Sequence, residues 1–342
     1  MRTFCQIRWS ENPNYGFANG RVRAQETSLL DRSQYERLLK ANGVEDFLAA
    51  LSETRYGQFV KENTEPTQIF TTAHQENIRF CKTYAAEPWL NALIGNQADI
   101  FNLKVILKNR YQEKSTAAED LLFGGQWGLN ELNAITATEL KRPFTEQNVL
   151  VLAHRRAQEA LRLARAKQDP SMIDLLLDKL EQEQALTLAA GNDFAYGYFR
   201  LYADLMNIRT LIRLKVLNET VATLEAAFLP GGEISRQNLQ RAYESESGAG
   251  KGVTLAPHYG AILLAGRQAQ EAGESLLPIE KMIRQLLLDY INCARYIALG
   301  YEPLWRFFLL RENELTNLRQ IYAAKLAGWD MKQCQEVVVY GF

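Results

Sequence analysis

The chain has 342 residues, of which 47% are hydrophobic and 23% charged, values close to the averages for soluble globular proteins. This length is enough for one large domain or for two to three smaller ones. The 39 basic and 40 acidic side chains nearly cancel, so no overall positive field attracts nucleic acid or an anionic membrane. Any binding surface must therefore be local.

The cysteines and the N-terminal segment indicate the compartment. The four cysteines are Cys5, Cys81, Cys293 and Cys334. Their wide spacing argues against a disulfide framework and a zinc site, so reduced structural thiols are expected. Residues 1–19 contain no continuous apolar core, so no signal peptide is predicted. The uncharged stretch 252–266 is shorter than the roughly 18–20 apolar residues of a membrane helix. A cytoplasmic protein is predicted.

Helical periodicity recurs along most of the chain, whereas the period-two alternation typical of half-buried strands is missing. Apolar stripes at helical spacing occupy residues 45–51, 149–165, 173–188, 281–297 and 305–326. Residues 337–340 form a short β-branched run, which fits either the end of a helix or a strand. The sequence predicts an all-α fold.

Glycine-rich segments separate the helical stretches. Gly124-Gly125 and Pro230-Gly231-Gly232 predict turns. The polar stretch 244–252 is rich in Ser, Gly and Glu, and this composition predicts a mobile surface loop. None of these segments is long enough to serve as a flexible linker between domains.

One short pattern occurs three times, in which an acid is followed by an asparagine, an aliphatic residue and a base. The spacing is 105 residues between the first two copies and 110 between the second and third. The positions that define the repeat are Asp99, Asn102 and Lys104, then Asp204, Asn207 and Arg209, then Glu314, Asn317 and Arg319. The sequence therefore predicts three homologous helical units of about 105–110 residues. The predicted boundaries are 1–118, 119–225 and 226–342, and the N-terminal segment is a candidate to pack with the last unit.

The residues that flank the pattern are also in register. Glu87-Pro88 and Glu302-Pro303 each lie 12 residues before the acid, and Asn192-Asp193 stands at the equivalent place in the middle copy. All three dipeptides predict helix starts, because proline suits the first turn and Asn or Asp caps it. The diglycines at 124–125 and 231–232 are 107 residues apart, so they also follow the repeat.

The acid and the asparagine lie three residues apart and so share one helix face. Asparagine lowers helix propensity, so we expect each one to make a specific hydrogen bond to a neighbouring helix or turn. Two interpretations follow, of which the first is favoured. The pairs are structural positions within each unit, or they form a contact surface repeated around a pseudo-threefold axis.

Catalytic chemistry is not predicted. None of the three histidines, His74, His154 and His258, has a metal-ligand partner at helical spacing. His154 is expected at the surface. The segment Gly248–Gly252 has a Lys like that of a phosphate-binding loop, but Ser245 stands where the motif needs glycine and Gly252 where it needs Ser or Thr. We therefore expect no catalytic residue, no metal, no cofactor and no direct nucleotide binding.

With these residues in view, the whole chain resembles the C-subunit family of V/A-type ATPases, whose eukaryotic equivalent is the d subunit of the vacuolar enzyme. The N-terminal block Tyr15-Gly16-Phe17-Ala18-Asn19-Gly20-Arg21-Val22-Arg23-Ala24 carries much of the resemblance. Further similar segments are the Leu29-Leu30-Asp31 stretch, residues 44–47 and 51–59, and the three acid–asparagine blocks. The order of these motifs, together with the repeat, makes the resemblance specific.

The resemblance implies three helical domains around a pseudo-threefold axis that form a funnel. It also implies a non-catalytic rotor protein that joins the D and F subunits of the central stalk to the membrane proteolipid ring. The protein would serve ATP-driven transport of protons or sodium ions, or ion-driven ATP synthesis. It would lie on the cytoplasmic side of the membrane as a peripheral protein, and it would be a monomer when isolated.

The alternative is an all-helical scaffold or adaptor unrelated to ATPases. Repeats of about 105–110 residues argue against a solenoid adaptor, because solenoid units are typically 20–50 residues long. Neither interpretation includes nucleic acid as a partner.

Overall fold

The structure is a computed structural model, and it describes residues 9, 11–63, 65–117, 121–138, 149–245 and 256–341. Within these ranges the chain forms sixteen α-helices and no β-strand, so the predicted all-α class is confirmed. Across the same ranges, no helix combines the length and the apolar character needed to cross a bilayer. The predicted loop 244–252 and the lysine-bearing segment within it lie largely outside the described residues, as does Cys5.

The helices belong to two compact units. The first unit comprises the chain up to Ala86 together with the chain from Ala256 onward, and the second comprises Glu87–Leu255. Helices of the first unit are α1 (Gly16–Glu26), α2 (Arg32–Lys40), α3 (Val44–Ser52), α4 (Gly57–Glu62), α5 (Pro66–Tyr84), α13 (Pro257–Ala272), α14 (Leu277–Asn292), α15 (Glu302–Leu326) and α16 (Met331–Val337). Helices of the second unit are α6 (Pro88–Tyr111), α7 (Leu129–Thr136), α8 (Val149–Lys167), α9 (Ser171–Leu188), α10 (Asp193–Val216), α11 (Val221–Ala227) and α12 (Arg236–Glu244).

The helix bounds agree with most of the sequence predictions. The predicted starts at Glu87-Pro88, Asn192-Asp193 and Glu302-Pro303 are confirmed as the first residues of α6, α10 and α15. Asn192 occupies the cap position, but its side chain makes no capping hydrogen bond. A helix is present where one was predicted over 281–297, but its bounds differ. α14 begins at Leu277, has proline in its first turn, and gives way to a 3₁₀ turn over Cys293–Tyr296. For residues 337–340, either a helix end or a strand was predicted. The helix end is the correct alternative, since α16 ends at Val337.

The core of the first unit is built around α15. This helix buries side chains on all of its faces, including Leu304, Phe307 and Leu318, which is why its sequence shows little amphipathic contrast. Helices α2, α3 and α5 pack their apolar faces against it, with Leu38 and Phe47 fully buried. Each such apolar side chain stabilises the fold by about 1.5–3 kcal/mol relative to an exposed position. The N-terminal and C-terminal segments of the chain thus share one core.

The core of the second unit lies between α6, α8 and α9. Alanines on one face of α8, among them Ala153, Ala157 and Ala160, are fully buried. Small side chains let helices approach closely, and the larger Leu103 and Leu177 of α6 and α9 belong to the same cluster. This packing positions α6 so that one polar face remains available to the segment that follows it.

The three long helices α6, α10 and α15 end in the same way. Each is followed at the same place by a residue with positive φ, namely Glu113 (58°), Asn218 (53°) and Gly328 (73°). The next N–H closes the helix end, from Lys114 to the Asn109 carbonyl at 2.8 Å, from Glu219 to Leu214 at 2.9 Å, and from Trp329 to Ala324 at 2.9 Å. This is the hydrogen-bond pattern of the Schellman motif. The three ends follow the same spacing as the sequence repeat.

Candidate functional site: the acid and asparagine positions of the long helices

The recurring acid and asparagine lie near the middle of α6, α10 and α15, and all six side chains are buried. Their exposed fractions are 2% for Asp99, 3% for Asn102, 0% for Asp204, 1% for Asn207, 5% for Glu314 and 0% for Asn317. Buried polar groups are stable only when they are hydrogen-bonded. The partners of these six side chains therefore decide what the pattern does.

Each asparagine holds one residue of the segment that follows its helix by both backbone groups. In α10, the Asn207 Nδ2 donates to the Leu229 carbonyl at 2.9 Å, and the Leu229 N–H donates to Asn207 Oδ1 at 2.8 Å. Asn102 pairs in the same way with Leu122, at 3.0 and 2.7 Å. Asn317 pairs with Val339, at 2.8 and 3.1 Å. We call these three paired contacts the asparagine clasps.

The two aspartates hold the chain a few residues further on. Asp204 accepts hydrogen bonds at 2.9 Å from the N–H groups of both Glu233 and Ile234. Asp99 likewise accepts from Gln126 at 2.8 Å and from Trp127 at 2.9 Å. Charge-assisted bonds from two adjacent amides are stronger than neutral ones. Each pair of bonds therefore fixes a turn against the middle of a long helix, and we call them the aspartate clasps.

The diglycines lie against these carboxylates. A Cβ placed on Gly232 would come within 2.1 Å of Asp204 Oδ1, and one on Gly125 within 2.1 Å of Asp99 Oδ1. The preceding glycines, Gly124 and Gly231, have φ of 99° and 91°. Glycine is thus required twice in each turn, once for the left-handed backbone and once for close approach.

The third acid is a glutamate, and its partners come from distant parts of the sequence. Glu314 accepts from the N–H of Leu30 and, at 2.9 Å, from the hydroxyl of Tyr56. Burial raises the pKa of the Glu314 carboxyl above its ordinary value, while the two hydrogen bonds and the nearby guanidinium of Arg55 act in the opposite direction. The glutamate therefore joins α15 to the segment that precedes α2.

Two of the three bases make contacts of different kinds. Lys104 pairs with Asp178 on α9, whereas the Arg319 guanidinium donates to the Phe70 carbonyl at 3.4 Å. The Nε of Arg209 is buried on α10. The shared geometry of the repeat is thus carried by the acid and the asparagine.

Sequence patterns did not identify Arg284, which supports the third asparagine. Its guanidinium donates at 2.7 Å to the Oδ1 atoms of both Asn313 and Asn317. It also donates to the Val337 carbonyl at 3.0 Å. Burial lowers the pKa of this arginine to about 10, so it remains charged at neutral pH. No periodic signal marks it, because it lies on α14 and reaches the site only through tertiary packing.

His74 and His154 lie on different helices, α5 and α8, and make different contacts. His74 contacts Glu312 at 2.9 Å. His154 contacts the Ile135 carbonyl of α7 at 2.9 Å and is partly buried, so the residue expected at the surface is only partly exposed. Among the described residues, no group of three or more His, Cys, Asp or Glu side chains could hold a metal ion.

A separate carboxylate gives a prediction for pH dependence. Glu181 on α9 is partly buried, and desolvation raises its pKa to about 7, although Lys104 lowers it. The unfolded chain ionises near the ordinary value, so the folded state binds the extra proton and loses stability as the pH rises from about 4.5 to 7. We expect Glu181→Gln to be as stable as the parent near pH 4.5. At pH 8 its free energy of unfolding should be about 1–3 kcal/mol higher than that of the parent.

The measurement is denaturant unfolding of parent and variant at intervals from pH 4.5 to 8. Glu225→Gln is the matched control for the substitution itself, because Glu225 is an exposed carboxylate on α11. A Glu181→Gln difference that is constant over this range would contradict the assignment.

The sequence is similar to known proteins along most of its length. Residues 18–336 match the family model described as ATP synthase (C/AC39) subunit. The C subunit of the A-type ATP synthase of Pyrococcus abyssi is 21% identical, over 97% of this chain and 92% of that protein. Its counterpart in Methanococcoides burtonii is 25% identical, over 93% and 92%. The C subunit of the V-type sodium ATPase of Enterococcus hirae is 20% identical, over 94% and 97%.

The family match covers nearly the whole chain, and it includes all three long helices together with their acid and asparagine positions. These relatives belong to both A-type and V-type enzymes, which links the family to ATP synthesis and to ion transport. The chain belongs to the ATP synthase (C/AC39) subunit family and is a subunit of an A-type or V-type ATPase.

Proposed function

We propose that this protein is a non-catalytic part of the central rotor, which couples the D–F stalk to the membrane proteolipid ring. The family match over residues 18–336 carries the proposal. The protein would sit on the cytoplasmic side as a peripheral protein and would transmit torque during ATP-driven ion transport or ion-driven ATP synthesis. Isolated, it would be a monomer, because one copy suffices on the axis of a rotor.

The second part of the proposal is the architecture. Three homologous helical units, with boundaries near 118 and 225, would surround a pseudo-threefold axis and form a funnel. The support is local: α6, α10 and α15 carry asparagine clasps of the same geometry and Schellman ends at the same spacing. Chance does not reproduce a clasp and a helix end together in three helices.

A torque-transmitting protein needs segments that do not move relative to their helices. The clasps meet this need, because each asparagine fixes a later segment by two hydrogen bonds and each aspartate of the second unit adds two more. We assign no reaction to these carboxylates, since their lone pairs accept hydrogen bonds from backbone amides or from the Tyr56 hydroxyl. The repeat-defining positions are proposed to be structural.

The test is a binding experiment with the full chain. The D–F pair and the detergent-solubilised ring are presented separately and together, and particle formation is followed by size-exclusion chromatography and light scattering. We expect one stable particle that contains all partners, and no ATP hydrolysis by the chain alone. D–F and ring mixed without the chain are the control and should remain apart. Failure to bind either partner at low and moderate salt would favour the alternative of a scaffold with other partners.

A further inference from the structure

A cavity lies in the first unit beside the Glu314 carboxylate. Its volume is about 610 Å³, and its lining includes Leu30, Tyr35, Ala298, Leu310, Glu314 and Gly341. This volume is within the range of about 300–1,000 Å³ that is typical of small-molecule sites. We call it the seam cavity, because it lies where two segments distant in sequence meet.

The acid clasps differ between the two units. In the second unit, the residue held by each asparagine is followed four residues later by the first residue held by the aspartate, as in Leu229 and Glu233. A continuous turn therefore covers each aspartate. In the first unit the residues held by Asn317 and Glu314 are Val339 and Leu30, and no such turn connects them. Gly341 and Leu30 both line the seam cavity, beside the Glu314 carboxylate.

The floor of the seam cavity is apolar. Leu30 and Leu310 are buried, with exposed fractions of 1% and 2%, and Leu29 and Ile297 also line the cavity. Among the acids that line the cavity, Glu26 pairs with Arg23 at 2.8 Å and with Arg306 at 2.5 Å. An apolar ligand group would therefore meet a hydrophobic surface and no unpaired carboxylate from Glu26.

One arginine in the wall of the cavity, Arg295, differs from the paired arginines Arg23 and Arg306. Arg295 is exposed, lines the cavity, and forms no ion pair with any residue that the structure describes. Its guanidinium lies 5.9 Å from the ring centroid of Tyr296, which is 83% exposed. Arginine and tyrosine are each enriched at protein binding surfaces. Arginine also suits bidentate binding of a carboxylate or phosphate group.

We propose that the seam cavity binds an amphiphile with one anionic head group and an apolar tail. The head group pairs with Arg295 at the mouth, and the tail lies over Leu29, Ile297 and Leu310. Desolvation of the apolar floor supplies the affinity, and the arginine selects the sign of the head group. The site stands on the geometry of the first unit and does not depend on assembly with other proteins.

The experiment is isothermal titration of the purified full chain with sodium laurate below its micelle concentration. Dodecyltrimethylammonium has the same tail with a cationic head, and acetate has the head without the tail. We expect saturable binding of laurate that is at least tenfold tighter than that of either comparison ligand. Circular dichroism melting establishes that each protein preparation is folded.

Two variants test the location. Arg295→Gln removes the head-group partner, and Ala298→Trp fills the cavity from an exposed position; both are expected to weaken laurate binding at least tenfold. Arg267→Gln is the matched control, because Arg267 is an exposed arginine of α13 that pairs with Glu271, and it should bind as the parent does. The proposal is overturned if laurate does not saturate, if the cationic amphiphile binds equally well, or if both cavity variants keep the parental affinity.

Discussion

Replacing Asn207 by leucine is expected to lower the free energy of unfolding by about 3 kcal/mol. Leucine has the same number of side-chain heavy atoms as asparagine, in the same branching, so it leaves no empty space. It cannot, however, accept the Leu229 N–H or donate to the Leu229 carbonyl, both of which are buried. A buried donor or acceptor without a partner costs about 1–3 kcal/mol, and two are created. Against a total stability of about 5–15 kcal/mol, the loss is severe.

Two measurements check this expectation. Denaturant unfolding gives the change in stability, and hydrogen exchange of the segment 228–234 reports the Leu229 amide directly. Asn238→Leu is the matched control, because Asn238 is a helical asparagine of α12 that is only half-buried, and it should change stability by less than about 0.5 kcal/mol. Unaltered protection of the Leu229 amide in Asn207→Leu would show that the clasp does not hold this turn.

Much of the second unit could be anticipated from sequence because its determinants are local. The helices predicted over 149–165 and 173–188 correspond to α8 and α9 within two residues. Proline at Pro88 and the dipeptide Asn192-Asp193 mark the starts of α6 and α10. Periodicity and capping chemistry act within a few residues, so one sequence reveals them.

The hydrogen-bond partners of the repeated acid and asparagine side chains were harder to predict from the sequence. Asparagine in the middle of a helix signals a specific hydrogen bond, but it does not say which backbone group is bound. For Asn102 and Asn207 the answer lies 20 and 22 residues ahead, close to the diglycines that follow the same repeat. The spacing of these diglycines was therefore a signal from which the two turns could have been inferred as the partners.

The third acid shows the limit of such reasoning. Glu314 binds Leu30 and Tyr56, which are 284 and 258 residues away in sequence. The direct counterpart in the second unit is a turn just after the helix, so extrapolation of the repeat would have placed the partner near residue 341. The same limit applies to Arg284, which contacts Asn317 from α14. Such contacts arise from tertiary packing, which leaves no periodic trace in one sequence.

Gly232→Ala is expected to destabilise the protein by about 3 kcal/mol, although glycine-to-alanine changes are often small. The new Cβ would lie 2.1 Å from Asp204 Oδ1 and 2.7 Å from its Cγ. That carboxylate cannot move away cheaply, because it accepts hydrogen bonds from both Glu233 and Ile234. If the carboxylate moves to relieve the clash, it loses one or both of these hydrogen bonds, and Asp204 itself is buried.

The control is Gly260→Ala on α13, where a Cβ would meet no atom within 4 Å. Alanine has the higher helix propensity, so this variant should gain about 0.5–1 kcal/mol. The two substitutions are chemically identical and differ only in what surrounds the glycine. Similar effects at positions 232 and 260 would mean that close approach to Asp204 is not what requires glycine.

A double-mutant cycle isolates the destabilisation that comes from the clash between the methyl group introduced at position 232 and the Asp204 carboxylate. Asp204→Ala alone leaves two amides without their acceptor and should cost about 3 kcal/mol. In the double variant the carboxylate that clashes with the new methyl group is absent, so its loss of stability should fall short of the sum of the single losses by at least about 1 kcal/mol. Strict additivity would place the two residues in independent roles, whereas the expected coupling would make Gly232 and Asp204 one structural element.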